Sequence, residues 1–188
     1  MKYHKTPLQD AVVIELEEHL DERGSFARLH CQRDFQEQGL PGQFVQSNLS
    51  VTKQRGVLRG MHFQKYPSRE GKLVRCLRGS VNDVIIDLRA DSPTYQKHYA
   101  IRLDEGSRRA LYVPYGFAHG FLTLEDNVEV LYEMTDYYDP QLSTGVRWDD
   151  PAFNIDWPDE RPMMNERDRS YPDFTPDRAW VANESSGA

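Results

Sequence analysis

The sequence has few cysteines, no surplus of basic residues and no long apolar run. Cys31 and Cys76 are too few for a disulfide framework and lack CxxC spacing, so we expect two free thiols. The 23 lysine and arginine residues are outnumbered by 30 aspartate and glutamate residues, and the net charge of −7 leaves no excess of cations for nucleic-acid phosphates. No segment is typical of a membrane span or a secretory signal. We therefore expect no nucleic-acid partner, no membrane partner and a cytoplasmic location.

Several common catalytic signatures are also missing. The sequence contains no GxGxxG, GxxxxGK[ST], GxSxG or HExxH motif. These absences remove most of the support for the usual nucleotide-binding folds, for serine hydrolases with a nucleophile elbow and for zincin proteases.

Short strands separated by Gly and Pro turns dominate the sequence. Its 188 residues are enough for one domain, 1–188, with a sizeable core. One short helix is predicted where Asp34 and Glu37 have capping-box spacing and Gly39 follows as a stop. Because so little helix separates the strands, we expect an all-β antiparallel sandwich or barrel. The barrel core should span about 40–140, and a C-terminal segment, 159–188, should either pack on it or fray. The predicted strands are 12–16, 25–30, 44–52, 56–64, 72–77, 81–88, 99–103, 110–113, 119–124 and 128–135.

The predicted strand 44–52 alternates between polar and apolar side chains. Gln46, Asn48 and Ser50 share one face, opposite an apolar face. The polar face could contact solvent, as it does in most strands, or it could line the cavity of a barrel. Amides and hydroxyls, rather than lysine and glutamate, favour the cavity.

The segment 56–64 is unusual for a strand because it contains two glycines, a cation and a histidine. Gly60 indicates a bulge or a close approach of two backbones. Strict alternation would place Arg59 and His62 on opposite faces, so a bulge is needed if both side chains serve one site.

Charged and aromatic residues also interrupt the later apolar strands. The segment 71–89 is predicted as a hairpin around Gly79, in which Lys72, Asp83 and Asp87 either form buried ion pairs or face solvent. Taken alone, His62 is more often a structural histidine than a catalyst. A second histidine, His119, lies in an aromatic stretch bracketed by a proline and two glycines. The tyrosines of 130–140 could be core or edge aromatics.

Taken together and in order, these segments resemble the dTDP-4-dehydrorhamnose 3,5-epimerase family from about residue 12 to residue 172. The resemblance implies a cupin-type jelly-roll β-barrel with a few short helices, a homodimer, and no metal or organic cofactor. It rests on Asp21-Glu-Arg-Gly-Ser-Phe26, Gln46-Ser-Asn-Leu-Ser50, Gly56-Val-Leu-Arg-Gly-Met-His62, Lys72-Leu-Val-Arg-Cys76, Asp83-Val-Ile-Ile-Asp-Leu-Arg89, Pro114-Tyr-Gly-Phe-Ala-His-Gly-Phe121, Tyr132-Glu-Met-Thr-Asp-Tyr-Tyr-Asp-Pro140, Gly145-Val-Arg-Trp-Asp-Asp-Pro151 and Ile155-Asp-Trp-Pro158.

The resemblance implies inversion of C3, C5 or both in a nucleotide-linked 4-keto-6-deoxyhexose. A hydrogen beside a ketone is weakly acidic, so its removal needs a base and a group that stabilises the enolate oxygen, and inversion needs a second proton donor on the opposite face. His62 resembles the base and Asp168 the carboxylate that orients it, while Lys72 would stabilise the enolate and Tyr132 would be the acid.

The resemblance also assigns residues to substrate binding. Arg59 and, from a neighbouring subunit, Arg23 would hold the diphosphate. The remaining assignments are Phe26 (from the neighbouring subunit) and Tyr138 on the nucleotide base, Gln46 and Asn48 in the nucleotide cleft, and Asp83 and His119 in the sugar pocket.

One position departs from the family pattern. Two places after the phenylalanine of the RGxF segment, the family usually has an acidic residue that can accept the thymine N3 proton, whereas this chain has Arg28. Arginine only donates, so the base could be cytosine rather than thymine, or thymine could be held otherwise.

Three alternatives remain from the sequence: a single-site 3- or 5-epimerase on a dTDP- or CDP-linked keto sugar, a non-catalytic sugar-nucleotide-binding module, and a metal-dependent cupin using His62 and His119. The absence of any HxH pair disfavours the metal enzyme, and the binding module has no reason to keep four catalytic positions filled.

Overall fold

A computed structural model describes residues 1–182. Their strands form two antiparallel sheets that face each other, together with a separate hairpin, which confirms the all-β prediction. In spatial order the six-stranded sheet comprises β1 (Lys2–Lys5), β2 (Val12–Glu15), β10 (Arg109–Val113), β7 (Lys72–Arg78), β12 (Val128–Met134) and β5 (Gln46–Thr52). The five-stranded sheet comprises β13 (Ser143–Gly145), β6 (Leu58–Gln64), β11 (Phe117–Thr123), β8 (Ser80–Asp87) and β9 (His98–Asp104). The hairpin comprises β3 (Glu18–Asp21) and β4 (Gly24–Ala27).

The main core fills the space between the two sheets. Alternating residues of each strand point inwards, so Val74 and Val130 of one sheet pack with Ile85 and Phe121 of the other. These four side chains are almost completely buried, and their removal from water is the main source of stability between the sheets.

Each sheet is also covered on part of its outer face. The predicted C-terminal segment, 159–188, packs Phe174 and Trp180 against the outer side of the five-stranded sheet, together with Phe153 from the loop before it. Residues 183–188 of that segment lie outside the described residues. A short helix, α1 (Gln32–Glu37), places Phe35 against Leu73 on the outer side of the six-stranded sheet. Among residues 1–182, no helix has the length and apolar character needed to span a bilayer.

The predicted short helix is present but starts earlier than expected, and the predicted hairpin around Gly79 was wrong. Helix α1 begins after Cys31 rather than at Asp34, because the helix is fixed by the burial of Phe35 and its N-cap makes no side-chain hydrogen bond. The segment around Gly79 is not a hairpin, since β7 and β8 belong to different sheets. Gly79 has a φ of +71°, a value that glycine adopts readily, and at this residue the chain crosses from one sheet to the other.

Candidate active site

A bulge in β6 brings two predicted site residues to one side of the strand. His62 pairs with His119 and Arg59 pairs with Phe121, so three steps along β6 face two along β11. Gly60 has a φ of +146°, and a Cβ there would lie 2.5 Å from the Cα of Gly120. The predicted bulge and close backbone approach are therefore confirmed, and Arg59 and His62 line the same cavity.

Two adjoining cavities open between the sheets, and His62, Lys72 and Tyr132 line both of them. We name each cavity after a cation found only in its own wall. The Arg59 compartment has a volume of about 180 Å³ and is also lined by Ser50, Arg59, His119, Phe121, Asn165 and Asp168. The Arg167 compartment has a volume of about 270 Å³ and is also lined by Gln46, Asn48, Phe63, Gln64, Glu70, Met134, Tyr138, Ser143 and Arg167.

A larger cavity of about 870 Å³ lies elsewhere, between the N-terminal loop and the loops that carry Arg69 and Tyr115. None of the predicted site residues lines it. Within residues 1–182, no group of three or more histidine, cysteine, aspartate or glutamate side chains is arranged to hold a metal ion.

His62 and Asp168 form a hydrogen-bonded pair in the wall of the Arg59 compartment. The Nε2 atom of His62 lies 2.7 Å from Oδ1 of Asp168, whose other oxygen accepts a hydrogen bond from the backbone N–H of Gly60 at 3.2 Å. Asp168 is carried by a short helix, α2 (Glu166–Arg169), in which the Asn165 side chain accepts a hydrogen bond from the Asp168 N–H. The cap therefore fixes the position of the carboxylate that meets the histidine.

The Asp168 carboxyl is ionised although it is buried. Burial alone would raise its pKa, but hydrogen bonds and the charge interaction with His62, together with the Gly60 and Asn165 contacts, lower the pKa below its ordinary value. An ionised carboxylate can only accept, so the Nε2 atom of His62 carries the proton of this hydrogen bond. The Nδ1 atom is then the nitrogen free to accept a proton.

Tyr132 and Lys72 lie on the opposite sheet, on β12 and at the start of β7. Burial raises the pKa of the Tyr132 hydroxyl, and the negative charge of Glu70 raises it further, while Arg59 opposes both effects. Tyr132 is therefore a neutral proton donor over the physiological range. Lys72 Nζ lies 2.9 Å from Glu70 Oε1 and 3.4 Å from the backbone oxygen of His62.

A second histidine–carboxylate pair lies beside the first. His119 Nε2 lies 3.0 Å from Asp83 Oδ2, and both residues are buried. His119 lines the Arg59 compartment, whereas Asp83 lies behind it and makes no part of the wall. Arg59 is exposed, and its Nε donates to Thr52 Oγ1 at 3.2 Å, which leaves the rest of the guanidinium available for a ligand.

The polar face of β5 points into the cleft, as we expected because its side chains are amides and hydroxyls rather than lysine and glutamate. Gln46 and Asn48 line the Arg167 compartment with Tyr138, and Ser50 lines the Arg59 compartment. The apolar face of the same strand is the one that contacts solvent, with Leu49 exposed by 55%. The usual arrangement of a half-buried strand is thus reversed, because the interior of this barrel is a polar cavity at this end.

The chain is similar to proteins of a known family over most of its length. The family profile described as dTDP-4-dehydrorhamnose 3,5-epimerase matches residues 5–176. The chain belongs to this family. The family assignment confirms the resemblance noted in the sequence.

Individual relatives of the epimerase family cover nearly the whole chain. The dTDP-4-dehydrorhamnose 3,5-epimerase of Methanothermobacter thermautotrophicus is 45% identical over 173 residues, which are 90% of this chain and 92% of that protein. The dTDP-4-dehydrorhamnose 3-epimerase of Streptomyces niveus is 42% identical over 157 residues, which are 83% of this chain and 75% of that protein. The crystal structure of the 3,5-epimerase from Elizabethkingia anophelis has a TM-score of 0.91 at 39% identity and covers 96% of this chain and 99% of that chain. The cupin-type jelly-roll prediction is confirmed.

Three residues that the family resemblance assigns to substrate binding lie outside the cleft of their own chain. Arg23 and Phe26 are on the exposed β3–β4 hairpin, and Arg28 follows it. The Phe26 side chain is 71% exposed, and the Arg23 guanidinium bonds only to Asp21 among the described residues. None of the three lines either compartment.

The structure also adds cleft residues that the sequence had not singled out. Arg167 precedes Asp168 on α2 and brings a second cation to the cleft, and its proximity in sequence to a predicted residue was an available signal. Glu70 lies two residues before Lys72, so a strand alternation extended backwards would have placed both side chains on one face. Asn165 and Phe121 complete the wall.

Proposed function

We propose that this chain is an epimerase that inverts C3, C5 or both in a nucleotide-linked 4-keto-6-deoxyhexose, of the type that converts dTDP-4-dehydro-6-deoxy-D-glucose to dTDP-4-dehydro-L-rhamnose. The observation that carries the proposal is the placement of the His62–Asp168 pair and Tyr132 on opposing sheets around the same cavities. A proton can leave the sugar on one face and return on the other only if two such groups flank it. The names of the relatives support the same reaction.

His62 acts as the base in this proposal. Its Nε2 atom is engaged by the ionised Asp168, so Nδ1 takes the proton from the carbon beside the ketone. The imidazolium formed is then stabilised by the adjacent carboxylate, which orients the ring but does not itself take the proton.

Lys72 stabilises the enolate that this proton transfer creates, and Tyr132 returns a proton to the carbon. As the C–H bond breaks, negative charge builds on the C4 oxygen, and the Lys72 ammonium stabilises it. Tyr132 then donates its hydroxyl proton to the carbon from the opposite side. The raised pKa of Tyr132 keeps that proton in place until the enolate forms.

In this proposal the nucleoside occupies the Arg167 compartment, and the diphosphate extends from it towards the Arg59 compartment. Arg59 and Arg167 bind the diphosphate, since guanidinium groups match the geometry of phosphate oxygens. Gln46, Asn48 and the Tyr138 ring contact the nucleoside, while His119, held by Asp83, contacts the sugar. An acidic chain can bind this anion because its few cations converge at one place.

We infer that two chains form a homodimer in which Arg23 and Phe26 of each enter the cleft of the other. The exposed hairpin that carries them supports this arrangement, as does the outer face of the six-stranded sheet, where Leu49, Val51 and Leu77 are exposed. Two buried nitrogens of Arg75, on the same face, have no hydrogen-bond partner within residues 1–182. A partner surface would cover the apolar side chains and supply acceptors.

Proton NMR of the purified enzyme with dTDP-4-dehydro-6-deoxy-D-glucose in heavy water tests the activity. We expect loss of the C3 and C5 proton signals in heavy water, and product formed in light water should show the coupling constants of the inverted centres. Loss at only one carbon would identify the single-site alternative, as in the S. niveus relative, and no loss at either carbon would contradict the proposal.

Calorimetric titration with dTDP and CDP tests the nucleobase. The relatives' names support thymine, while Arg28 in place of the usual carboxylate favours an acceptor at N3, as in cytosine. Tighter binding of dTDP would exclude the cytosine hypothesis, and tighter binding of CDP would establish it.

The cytoplasmic location stays a prediction.

A further inference from the structure

Glu70 is a buried carboxylate in the cleft to which no role has been assigned. Its side chain is only 5% exposed, and its Oε1 lies 2.9 Å from the Nζ of Lys72, whose side chain is 10% exposed. Both residues line the Arg167 compartment, and among the described residues that line it Glu70 is the only carboxylate. A negative charge at this position repels a diphosphate, so binding of the substrate does not account for it.

Stability does not account for Glu70 either. Two ions taken out of water lose much of their hydration, and a buried ion pair is often no more stabilising than two apolar residues of the same size. The pair is instead placed where the reaction needs it, because Lys72 also lines the cavity that holds His62 and Tyr132.

We propose that Glu70 is a positioning residue that holds the Lys72 ammonium at the junction of the two compartments, where the C4 oxygen of the sugar would lie. This inference rests on the proposed function. A lysine has four rotatable side-chain bonds, and the short contact with Glu70, together with the 3.4 Å contact with the His62 carbonyl, selects one orientation of the ammonium before the substrate arrives.

The same carboxylate acts on Tyr132. The other charged and titratable groups that line the cavities around this phenol are Arg59 and His62 on β6, Glu70 and Lys72 at β7, His119 on β11, Tyr138 after β12, and Arg167 and Asp168 on α2. Glu70 raises the pKa of Tyr132, after the larger effect of burial, and so helps to keep the proton on the acid. Its removal should therefore change the pH dependence of the enzyme as well as its rate.

Glu70→Gln is the direct test, since glutamine keeps the size of the side chain and removes its charge. We expect kcat to fall at least ~10-fold, with KM changed less than ~3-fold, because the Lys72 charge acts on the transition state. The alkaline limb of the kcat profile should move to lower pH, because Glu70 no longer raises the pKa of Tyr132. Glu70→Asp, which keeps the charge, should keep the alkaline limb of the wild type.

The control is Glu105→Gln. Glu105 is exposed in the turn between β9 and β10 and lines neither compartment, so its loss changes the net charge equally and should leave kcat and the pH profile unchanged. Rates are compared per folded enzyme, measured by near-ultraviolet circular dichroism.

A double-mutant cycle with Lys72→Met separates positioning from a general structural effect. If Glu70 acts on kcat through Lys72, adding Glu70→Gln to Lys72→Met should change kcat by less than ~2-fold. A full further loss in that background, or a Glu70→Gln enzyme with the kcat and alkaline limb of the wild type, would overturn the inference. Failure of the wild type to epimerise would instead reject the proposed function.

Discussion

At the scale of single residues, the roles of the cleft side chains follow from which atoms are already engaged. Asp168 occupies the Nε2 atom of His62 and leaves Nδ1 free, and this assignment depends on a hydrogen bond that joins residues 106 positions apart. The sequence suggested both residues only through family resemblance, because nothing in the local pattern of either shows that they meet. Glu70 was not predicted, since a glutamate before a strand is usually solvated.

Removing the base or the acid should abolish most of the activity. His62→Ala and Tyr132→Phe are each expected to lower turnover at least ~100-fold, the lower range for loss of a general acid or base. Steady-state assays with the keto-sugar nucleotide measure the effect. His4→Ala, an exposed histidine on β1, is the matched control and should retain full activity. A variant of His62 or Tyr132 with near-normal turnover would exclude that residue from the mechanism.

At the scale of the strand, irregularity is what builds the cleft. Simple alternation would place Arg59 and His62 on opposite faces of β6, and the bulge at Gly60 brings both side chains to the same face. The glycine indicated that some irregularity was present, but the sequence could not determine its register, which depends on the contact with Gly120 of β11. In β5 the alternation itself was predictable, whereas the choice of the inward face depends on whether the barrel interior is polar or apolar there.

Gly60→Ala tests the importance of the bulge. A methyl group would meet the backbone of Gly120 and would strain a φ of +146°, so we expect the free energy of unfolding to fall by at least about 2 kcal/mol, and kcat to fall with it as Arg59 and His62 move apart. Chemical denaturation and kinetics are the measurements. Gly106→Ala, in an exposed turn, should change neither, and wild-type stability of Gly60→Ala would show that the backbone contact is not needed.

A second element-scale prediction concerns the end of β8. Asp87 is completely buried and accepts hydrogen bonds from Arg89, Ser92 and Thr94. Burial alone would raise its pKa, but the Arg89 contacts and the two hydroxyls lower it below the ordinary value. Asp87→Asn leaves Arg89 buried without its main charge partner, so we expect a loss of about 3–5 kcal/mol at pH 7 by urea denaturation.

The pH dependence of this loss has a definite sign. Because the pKa of Asp87 is lowered in the folded state, its stabilising effect is complete above its pKa in the unfolded chain, about 3.9. The effect disappears as the pH falls through its pKa in the folded state. The difference between wild type and Asp87→Asn should therefore narrow in acid. A difference in unfolding free energy between wild type and Asp87→Asn that stays constant down to pH 2 would contradict this account. The control is Asp91→Asn, at an exposed position, which should unfold with the free energy of the wild type at every pH.

At the scale of the whole molecule, the site is a product of topology. The cleft takes residues from β5, β6, β7, β11, β12, β13 and α2, so no single segment of sequence describes it. The composition and turns predicted an antiparallel β fold, but the pairing of β7 with β10 and β12 rather than with β8 depends on contacts between distant segments. The hairpin predicted around Gly79 failed for this reason.

Subunit complementation tests the assembly. Arg23→Ala should raise KM with a smaller effect on kcat, because Arg23 binds the diphosphate rather than the reacting carbons. Dimers re-formed from a mixture of Arg23→Ala and His62→Ala chains should contain one intact site, with His62 from one chain and Arg23 from the other. At substrate concentrations well below the KM of Arg23→Ala, we expect the mixture, refolded together, to show activity above that of either variant alone. No recovery in a protein shown to be dimeric by sedimentation would place Arg23 outside the partner's site.

The most direct measurement of the central claim, that two groups transfer protons on opposite faces of one sugar, is deuterium incorporation by Tyr132→Phe in heavy water. The variant retains the base but not the acid. For Tyr132→Phe, we predict that NMR will show solvent deuterium entering the unreacted keto sugar faster than the inverted product forms. For His62→Ala, we predict no deuterium in either the keto sugar or the product. Inverted product that retains its original hydrogen, or exchange by His62→Ala at the wild-type rate, would contradict the account.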